Sequence, residues 1–169
     1  RKNEYTESFM NKNQLMNKFL MILLVVFLPL TAMGQKKDIS QARTYIKSGK
    51  NLDKAEQLMW NLLKDSVNRD NVKIRLTLFD AIKKQYEIGN EKLYLKQQYD
   101  TTMLFKSVSR MFSVLESLDS LDERMSLSKH SKLKYREKYS EYLNTYRPNL
   151  DNGGRFFVNK HDYTTAYSF

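Results

Sequence analysis

Cysteine is absent from the 169 residues of this chain, and glycine, proline and histidine are scarce, with five, two and two copies. Without cysteine the chain forms no disulfide bond and carries no thioether-linked lipid, so apolar packing has to supply the stability of the fold. So few glycines and prolines argue against a β-rich fold with many tight turns. Abundant Leu, Lys, Glu, Gln and Met favour helices instead. The sequence therefore predicts an all-α protein.

The two histidines also limit the chemistry that the chain can carry. Neither His130 nor His161 has a second histidine or a cysteine at the spacing of a metal site, so no zinc site is expected. Asp119 and Asp122 form an acidic pair within a polar segment, where solvated carboxylates are expected rather than a tuned acid–base pair. We expect no catalytic residue, no cofactor and no metal in this sequence, and we interpret it as non-enzymatic.

The charge of the chain is strongly basic, with 29 Lys and Arg against 19 Asp and Glu and a formal charge of +10. A basic balance is compatible with nucleic acid, but the export signal described next argues against that partner. An acidic partner protein, an anionic glycan or lipid head groups are better matches. A lysine-rich surface that serves only solubility is the plainest alternative.

Residues 16–34 are predicted to form a secretory signal peptide. Lys18 supplies the positive charge, residues 19–30 form a short apolar core, and small residues precede the expected cleavage after Gly34. Gln35 would then be the mature N-terminus, and the protein would be periplasmic or secreted, without a transmembrane span. Retention of the segment as a membrane anchor is the alternative, although a spanning helix needs about 20 apolar residues.

The rest of the chain divides around this signal. Residues 1–15 are taken as upstream sequence that does not belong to the fold, and residues 35–169 are predicted to form one helical domain. Phe169 falls inside a predicted amphipathic helix without a cap or a proline behind it. We therefore expect the domain to be truncated at its C-terminal end.

Hydrophobic periodicity predicts a helical hairpin first, over about residues 38–65, with its turn at residues 49–51. The next helix is capped by Asp70 or Asn71 and ends at the αL stop Gly89-Asn90. A weak helix is predicted over 91–99, followed by a strong helix that is capped by Asp100 or Thr101 and reaches Leu118. The polar segment over 119–133 is interpreted as a mobile loop or a frayed helix end. A helix over 134–146 is stopped by the proline of 147–149, and a final helix pair has its turn at 160–162.

The C-terminal segment carries a repeat-like pattern of a large apolar residue, two small residues, an aromatic residue, a polar turn and then aromatic-x-x-Ala. These positions are Leu150, Gly153, Gly154, Phe157, Tyr163 and Ala166. The first hairpin carries the same pattern more loosely at Ala42, Leu52 and Ala55. The pattern resembles the tetratricopeptide repeat (TPR), and the chain as a whole resembles exported TPR-type proteins of Gram-negative bacteria with degenerate repeats. This resemblance implies an α-solenoid of stacked antiparallel helical hairpins, in which Tyr163 and Ala166 seat the second helix of a pair against the first.

Four residues are candidates for contacting a partner. Tyr135 and Tyr139 belong to a tyrosine stripe with basic neighbours such as Arg136, a combination that binds acidic peptides or glycans by stacking and charge. The alternative is that the stripe packs against a neighbouring helix. Trp60 lies off the main apolar stripe of its helix, either as an interface anchor or packed against the next hairpin.

These observations predict an exported helical-repeat scaffold that binds an unidentified protein in the cell envelope, without nucleic acid. One alternative is the helical domain of a longer enzyme or envelope machine whose active part lies beyond Phe169. The other is a basic module that binds anionic glycan or lipid.

Overall fold

The computed structural model describes residue 14, residues 16–19 and residues 34–169. Most of the predicted leading segment and most of the predicted signal peptide lie outside these residues. The chain divides into two compact units, Arg1–Asp38 and Ile39–Phe169. The apolar core described below belongs to the second unit.

All regular structure in the described residues is helical, so the all-α prediction is confirmed. None of the described helices combines the length and the apolar content that crossing a membrane requires. The helices are α1 (residues 34–48 of the described chain), α2 (Leu52–Lys64), α3 (Val72–Tyr94), α4 (Thr101–Lys129), α5 (Arg136–Asn159) and α6 (Tyr163–Tyr167), with a 3₁₀ turn over Ser66–Asn68 between α2 and α3.

Several predicted helix ends are confirmed. The side chain of Asn71 accepts hydrogen bonds from two backbone N–H groups in the first turn of α3, and Asp100 does the same for α4. The turn between α1 and α2 contains Gly49 and Asn51, both with positive φ. The predicted turn at residues 160–162 separates α5 from α6. Short-range capping chemistry therefore identifies these ends correctly.

The predicted stop of α3 at Gly89-Asn90 is wrong, because the helix continues to Tyr94. Gly89 is buried inside the helix, and a Cβ atom there would overlap the ring of Tyr99. The left-handed residue after α3 is Lys96, with φ 56°, so the predicted separate helix over 91–99 is wrong too. This glycine allows a close approach of a tyrosine ring rather than a helix stop.

The segment over residues 119–133, predicted to be a mobile loop or a frayed helix end, is mostly part of α4, which continues to Lys129. Leu121 and Asp122 in this stretch are buried at 1% and 4% exposure, and they keep this face of α4 against its neighbours. The helix ends where His130 adopts a left-handed conformation. The polar residues of the stretch occupy mainly the exposed side of α4, which made the sequence resemble a loop.

The predicted stop at residues 147–149 is also wrong, because α5 passes through Pro148 without ending. Tyr146 and Asn149 flank the proline and hold this part of α5 on α3. The Tyr146 ring meets the Tyr86 ring edge-on at 5.2 Å, and the Asn149 side-chain amide donates to the Tyr86 hydroxyl at 2.6 Å. Tertiary packing here outweighs the local cost of a proline inside a helix.

Helices that follow one another along the chain pack against each other, from α2 with α3 through to α5 with α6. The core contains fully buried side chains from α2, α3 and α4, among them Met59, Ile74, Leu78, Ile82, Val108, Met111 and Leu118. The helix lengths are unequal: α2 has 13 residues, whereas α3 has 23 and α4 has 29. A TPR unit places two helices and their turns in about 34 residues. Together α3 and α4 contain more residues than one such unit.

Candidate functional site between α4 and α5

The tyrosine stripe of α5 faces α3. Tyr139 and Tyr142 both approach the ring of Phe79 edge-on, with centroids 5.7 and 5.8 Å away, and Tyr146 contacts Tyr86 in the same manner. Burial raises the pKa of the Tyr139 and Tyr146 phenols, so both stay neutral at physiological pH. Packing against a neighbouring helix, the alternative interpretation of this stripe, therefore describes most of its contacts.

An ion pair fastens the first residue of α5 to α4. The Arg136 guanidinium donates from Nε to Asp119 Oδ1 at 2.6 Å and from Nη2 to Asp119 Oδ2 at 2.8 Å. Glu123 lies 3.6 Å from the same guanidinium. The hydrogen bond to Asp119 raises the pKa of Arg136 further above its ordinary value. Because the contact with Asp119 is bidentate, it fixes the orientation of Arg136 as well as its position.

The backbone at the start of α5 is capped by Asp122, a residue of α4. Its carboxylate accepts backbone N–H groups from Lys134 at 2.8 Å, from Tyr135 at 2.7 Å and from Arg136 at 3.3 Å. Tyr135, at the N-cap position itself, provides no side-chain cap. Asp122 thus satisfies donors that every helix N-terminus leaves open.

The electrostatics of Asp122 follow from these contacts. Burial alone raises the pKa of this carboxyl, but the three backbone donors and the charge of Arg136 outweigh burial and leave the pKa below its ordinary value. The sequence-based expectation of a solvated carboxylate is therefore wrong for Asp122. Tyr135, the N-cap residue of α5, makes no capping hydrogen bond with its side chain. This lack of a local cap is a signal in the sequence for a cap from elsewhere in the chain.

Between these anchors, α4 and α5 enclose a groove of about 410 Å³ that opens to solvent. The partly buried Leu143 supplies aliphatic surface, two tyrosine rings add aromatic surface, and the buried Leu115 and Leu118 form the floor. The complete lining is Leu115, Glu116, Leu118, Asp119, Ser120, Tyr135, Arg136, Tyr139, Ser140 and Leu143. We call this feature the α4–α5 groove. Its size lies in the range of ligand-binding clefts, about 300–1,000 Å³.

Three of the four candidate partner-binding residues meet in this groove. Tyr135, Arg136 and Tyr139 all line it. Trp60 does not; it lies on α2, where its indole N–H donates to Glu56 at 3.4 Å and 42% of the residue is exposed. The structure therefore joins Tyr135, Arg136 and Tyr139, at the start of α5, into one site and leaves Trp60 apart from it.

The residues of the repeat pattern are distributed over both ends of the described chain. Ala42, Leu52 and Ala55 are buried in the first hairpin, and Gly153 and Phe157 are buried in α5, whereas Leu150, Gly154 and Ala166 are partly buried. Gly34 and Gln35, at the predicted cleavage site, lie in the first described turn of α1.

Tyr163 does not take the packing role that the repeat pattern gives it. It is 62% exposed, and its hydroxyl lies 3.1 Å from the His161 ring nitrogen. Phe169 packs in its place: its ring stacks on Phe157 at 5.3 Å and covers Gly153. The close approach expected at Gly153 is present, but a different aromatic residue makes it.

The groove combines apolar surface with hydroxyl, carboxylate and guanidinium groups, which equips it for binding. Within residues 34–169 and the short described stretches before them, no three His, Cys, Asp or Glu side chains are grouped so as to hold a metal ion. No family model matches this chain, and comparisons with curated proteins and with solved structures give no match either. The α4–α5 groove is therefore the feature of this chain from which a function is inferred.

Proposed function

We propose that this protein is an exported helical scaffold of TPR type that binds a partner protein of the cell envelope through the α4–α5 groove. The observation that carries the proposal is the convergence of Tyr135, Arg136 and Tyr139 on one groove with aliphatic surface beneath them. Tyrosine and arginine are enriched at protein interfaces, and they dominate the residues at which truncation costs most binding energy.

The groove chemistry fits an amphipathic helix of the partner. Apolar side chains of that helix would cover Leu143 and the rings of Tyr135 and Tyr139, as in other helix-in-groove complexes. On the rim, Asp119 is neutralised by Arg136, whereas Glu116 forms no ion pair within the described chain. A lysine or arginine beside the apolar face of the partner helix would complement Glu116.

The export and repeat parts of the proposal have separate support. Export is supported by Lys18, the apolar core that follows it and the small residue Gly34. The TPR likeness is supported by the α1–α2 pair, where Ala42 and Ala55 have no exposed surface. The greater lengths of α3 and α4 confine that likeness to the ends of the described chain.

The groove is tested by a substitution that fills it without changing a buried core residue. Ser120 lines the groove, is exposed on α4 and donates its hydroxyl to the backbone of Glu116. Ser113 is exposed on the same helix, makes the equivalent bond to Ser109 and does not line the groove. Ser120→Arg and Ser113→Arg therefore add the same side chain to the same kind of site.

The measurement is crosslinking and pull-down from the native envelope, with the full-length protein as bait. We expect a specific protein partner that is lost with Ser120→Arg and retained with Ser113→Arg, while circular dichroism shows equal helicity for both variants. Retention of the partner by Ser120→Arg would refute the groove. Recovery of no protein, together with salt-sensitive binding to anionic glycan or lipid, would favour the basic-module alternative.

The export component has its own test. Intact-mass analysis of the exported protein is expected to give a chain that begins at Gln35. A product that retains residues 19–30 and needs detergent for extraction would contradict cleavage.

A further inference from the structure

Arg124 forms an ion pair with Asp70, just before α3, at 3.2 Å. This is the last polar contact of α4 with that region, and the connection between α4 and α5 follows it in the chain. Within the described chain, no hydrogen bond or ion pair joins residues 125–133 to α2 or α3. We call residues 125–134 the basic tip. The hydrogen bonds described for these residues run to residues of α4 or within this segment.

The basic tip carries positive charge that the fold does not neutralise. Lys129, Lys132 and Lys134 line a cavity of about 460 Å³, and all three are exposed without an ion pair in the described chain. Asp122 also lines this cavity, but its carboxylate already accepts three backbone N–H groups. The tip therefore presents three ammonium groups to an external anion.

Exposed apolar side chains accompany these lysines. Leu127 is 72% exposed in the last turns of α4, and Leu133 is 37% exposed on the cavity wall, beside Met125. None of the three belongs to the buried core or packs against it. Leucines exposed among lysines favour a surface that is anionic outside and apolar beneath, because aliphatic stems enter the apolar layer while ammonium groups stay at the phosphates.

From this combination we infer that the basic tip docks on an anionic lipid surface. The lysines contact the lipid phosphates, and Leu127 and Leu133 enter the boundary between head groups and acyl chains. A soluble anion would satisfy the lysines alone and would leave both leucines in water. The inference does not depend on the α4–α5 groove, since Tyr135 alone lines both that groove and the cavity of the tip.

The absence of cysteine allows a local test in the full chain. Ser131→Cys, labelled with an environment-sensitive fluorophore, reports on the basic tip alone. Ser48→Cys, labelled in the same way, reports on the turn between α1 and α2. With vesicles of anionic phospholipid we expect a blue shift and a rise in emission at position 131 but not at position 48. Neutral vesicles and inorganic phosphate are expected to leave both labels unchanged.

Two sets of substitutions then separate the roles of charge and apolar surface. Changing Lys129, Lys132 and Lys134 to Gln should raise the lipid concentration at half-response by about tenfold or more. Changing Lys47, Lys50 and Lys54 to Gln removes the same charge elsewhere and should leave the titration unchanged. Leu127→Ser with Leu133→Ser should abolish the blue shift while the charge stays constant.

Each contrary result overturns the inference in a recognisable way. An unchanged label at position 131 on anionic vesicles would exclude docking by the tip. An equal increase in the lipid concentration at half-response for the two lysine sets would show that the net charge of the protein, and not the basic tip, explains the binding. A response to an anionic polysaccharide or to inorganic phosphate, without one to vesicles, would replace the lipid surface by a soluble anion.

Discussion

The Asp122 carboxylate accepts the backbone N–H of Tyr135 at 2.7 Å, and this contact joins α4 to the N-terminus of α5. The neighbouring Arg136 binds Asp119 one turn earlier on α4, so two acidic residues of one helix hold the first turn of the next. The direction and starting point of α5 are therefore set by α4 rather than by the connection between them. The α4–α5 groove begins at this junction, because Asp119, Tyr135 and Arg136 also line it.

Replacing Asp122 should destabilise the fold. Asp122→Asn leaves one oxygen that all three backbone N–H groups can still reach, but it removes the negative charge that strengthens these bonds. The new amide nitrogen also faces the Lys134 N–H, which Asp122 Oδ1 accepts at 3.1 Å. Loss of a helix cap costs about 1 kcal/mol, and a hydrogen bond to a charged group contributes about 1.5–3 kcal/mol. We expect the free energy of unfolding, measured with urea, to fall by about 2 kcal/mol. Asp151→Asn, at an exposed position of α5, is the control and should change it little.

The same carboxylate should make stability depend on acid. Because the folded-state pKa of Asp122 lies below its ordinary value, its contribution is fully present above the unfolded-state pKa and is lost as pH falls through the folded-state pKa. The stability difference between the native protein and Asp122→Asn should be constant near neutral pH and should shrink from about pH 4 downward. A difference that grows on acidification would contradict the cap. The comparison of two variants cancels the contributions of the other carboxyl groups.

Two adjacent glycines of α5 should respond oppositely to alanine. At Gly153 a new Cβ would lie 2.5 Å from a ring carbon of Phe169 and 3.2 Å from one of Phe105, so packing must shift. At Gly154 the nearest atom is 3.5 Å away, which is ordinary contact. Gly154→Ala should therefore stabilise the protein by about 0.5–1 kcal/mol through helix propensity, whereas Gly153→Ala should destabilise it. Thermal unfolding of both variants measures the difference, and equal stabilisation would contradict the observed packing.

The hydrogen bond between Asn149 and Tyr86 should be measurable as a coupling energy. Tyr86→Phe and Asn149→Ala each remove one partner of the 2.6 Å contact that holds α5 on α3 beside Pro148. A double-mutant cycle by urea unfolding should give a coupling of about 0.5–1.5 kcal/mol. Asn144→Ala, at an exposed position of the same helix, should show no coupling with Tyr86→Phe. Additive losses for the first pair would mean that the contact contributes nothing.

The elements that could be predicted from the sequence are those whose signals are local. The caps Asn71 and Asp100 act on the two or three residues that follow them, and the turns at 49–51 and 160–162 are short polar segments. Their chemistry is complete within a few residues of the chain. For this reason the sequence identifies where these helices begin and turn.

The elements that were predicted wrongly depend on residues distant in the sequence. In the sequence, Gly89 and Pro148 both resemble helix stops. The structure instead packs Tyr99 against Gly89 and bonds Asn149, next to Pro148, to Tyr86. Asp122 belongs to a polar stretch, and its role follows from the backbone N–H groups of residues 134–136, which are distant in the sequence. The grouping of Tyr135, Arg136 and Tyr139 could be anticipated from their spacing, but the groove beneath them comes from Leu115 and Leu118 on α4.

For the proposed partner, the Asp122 cap bears on the entropy of binding. Asp122 anchors α5 at its first turn, and Phe169 contacts it near its last turns over Gly153. We therefore expect the wall of the α4–α5 groove to be ordered before a partner arrives, so that the partner loses its own freedom without having to order the scaffold as well, which lowers the cost of association. A change at Gly153, remote from the lining residues, is expected to weaken the proposed binding by loosening that wall, and the loss should appear as an unfavourable entropy rather than as a missing contact.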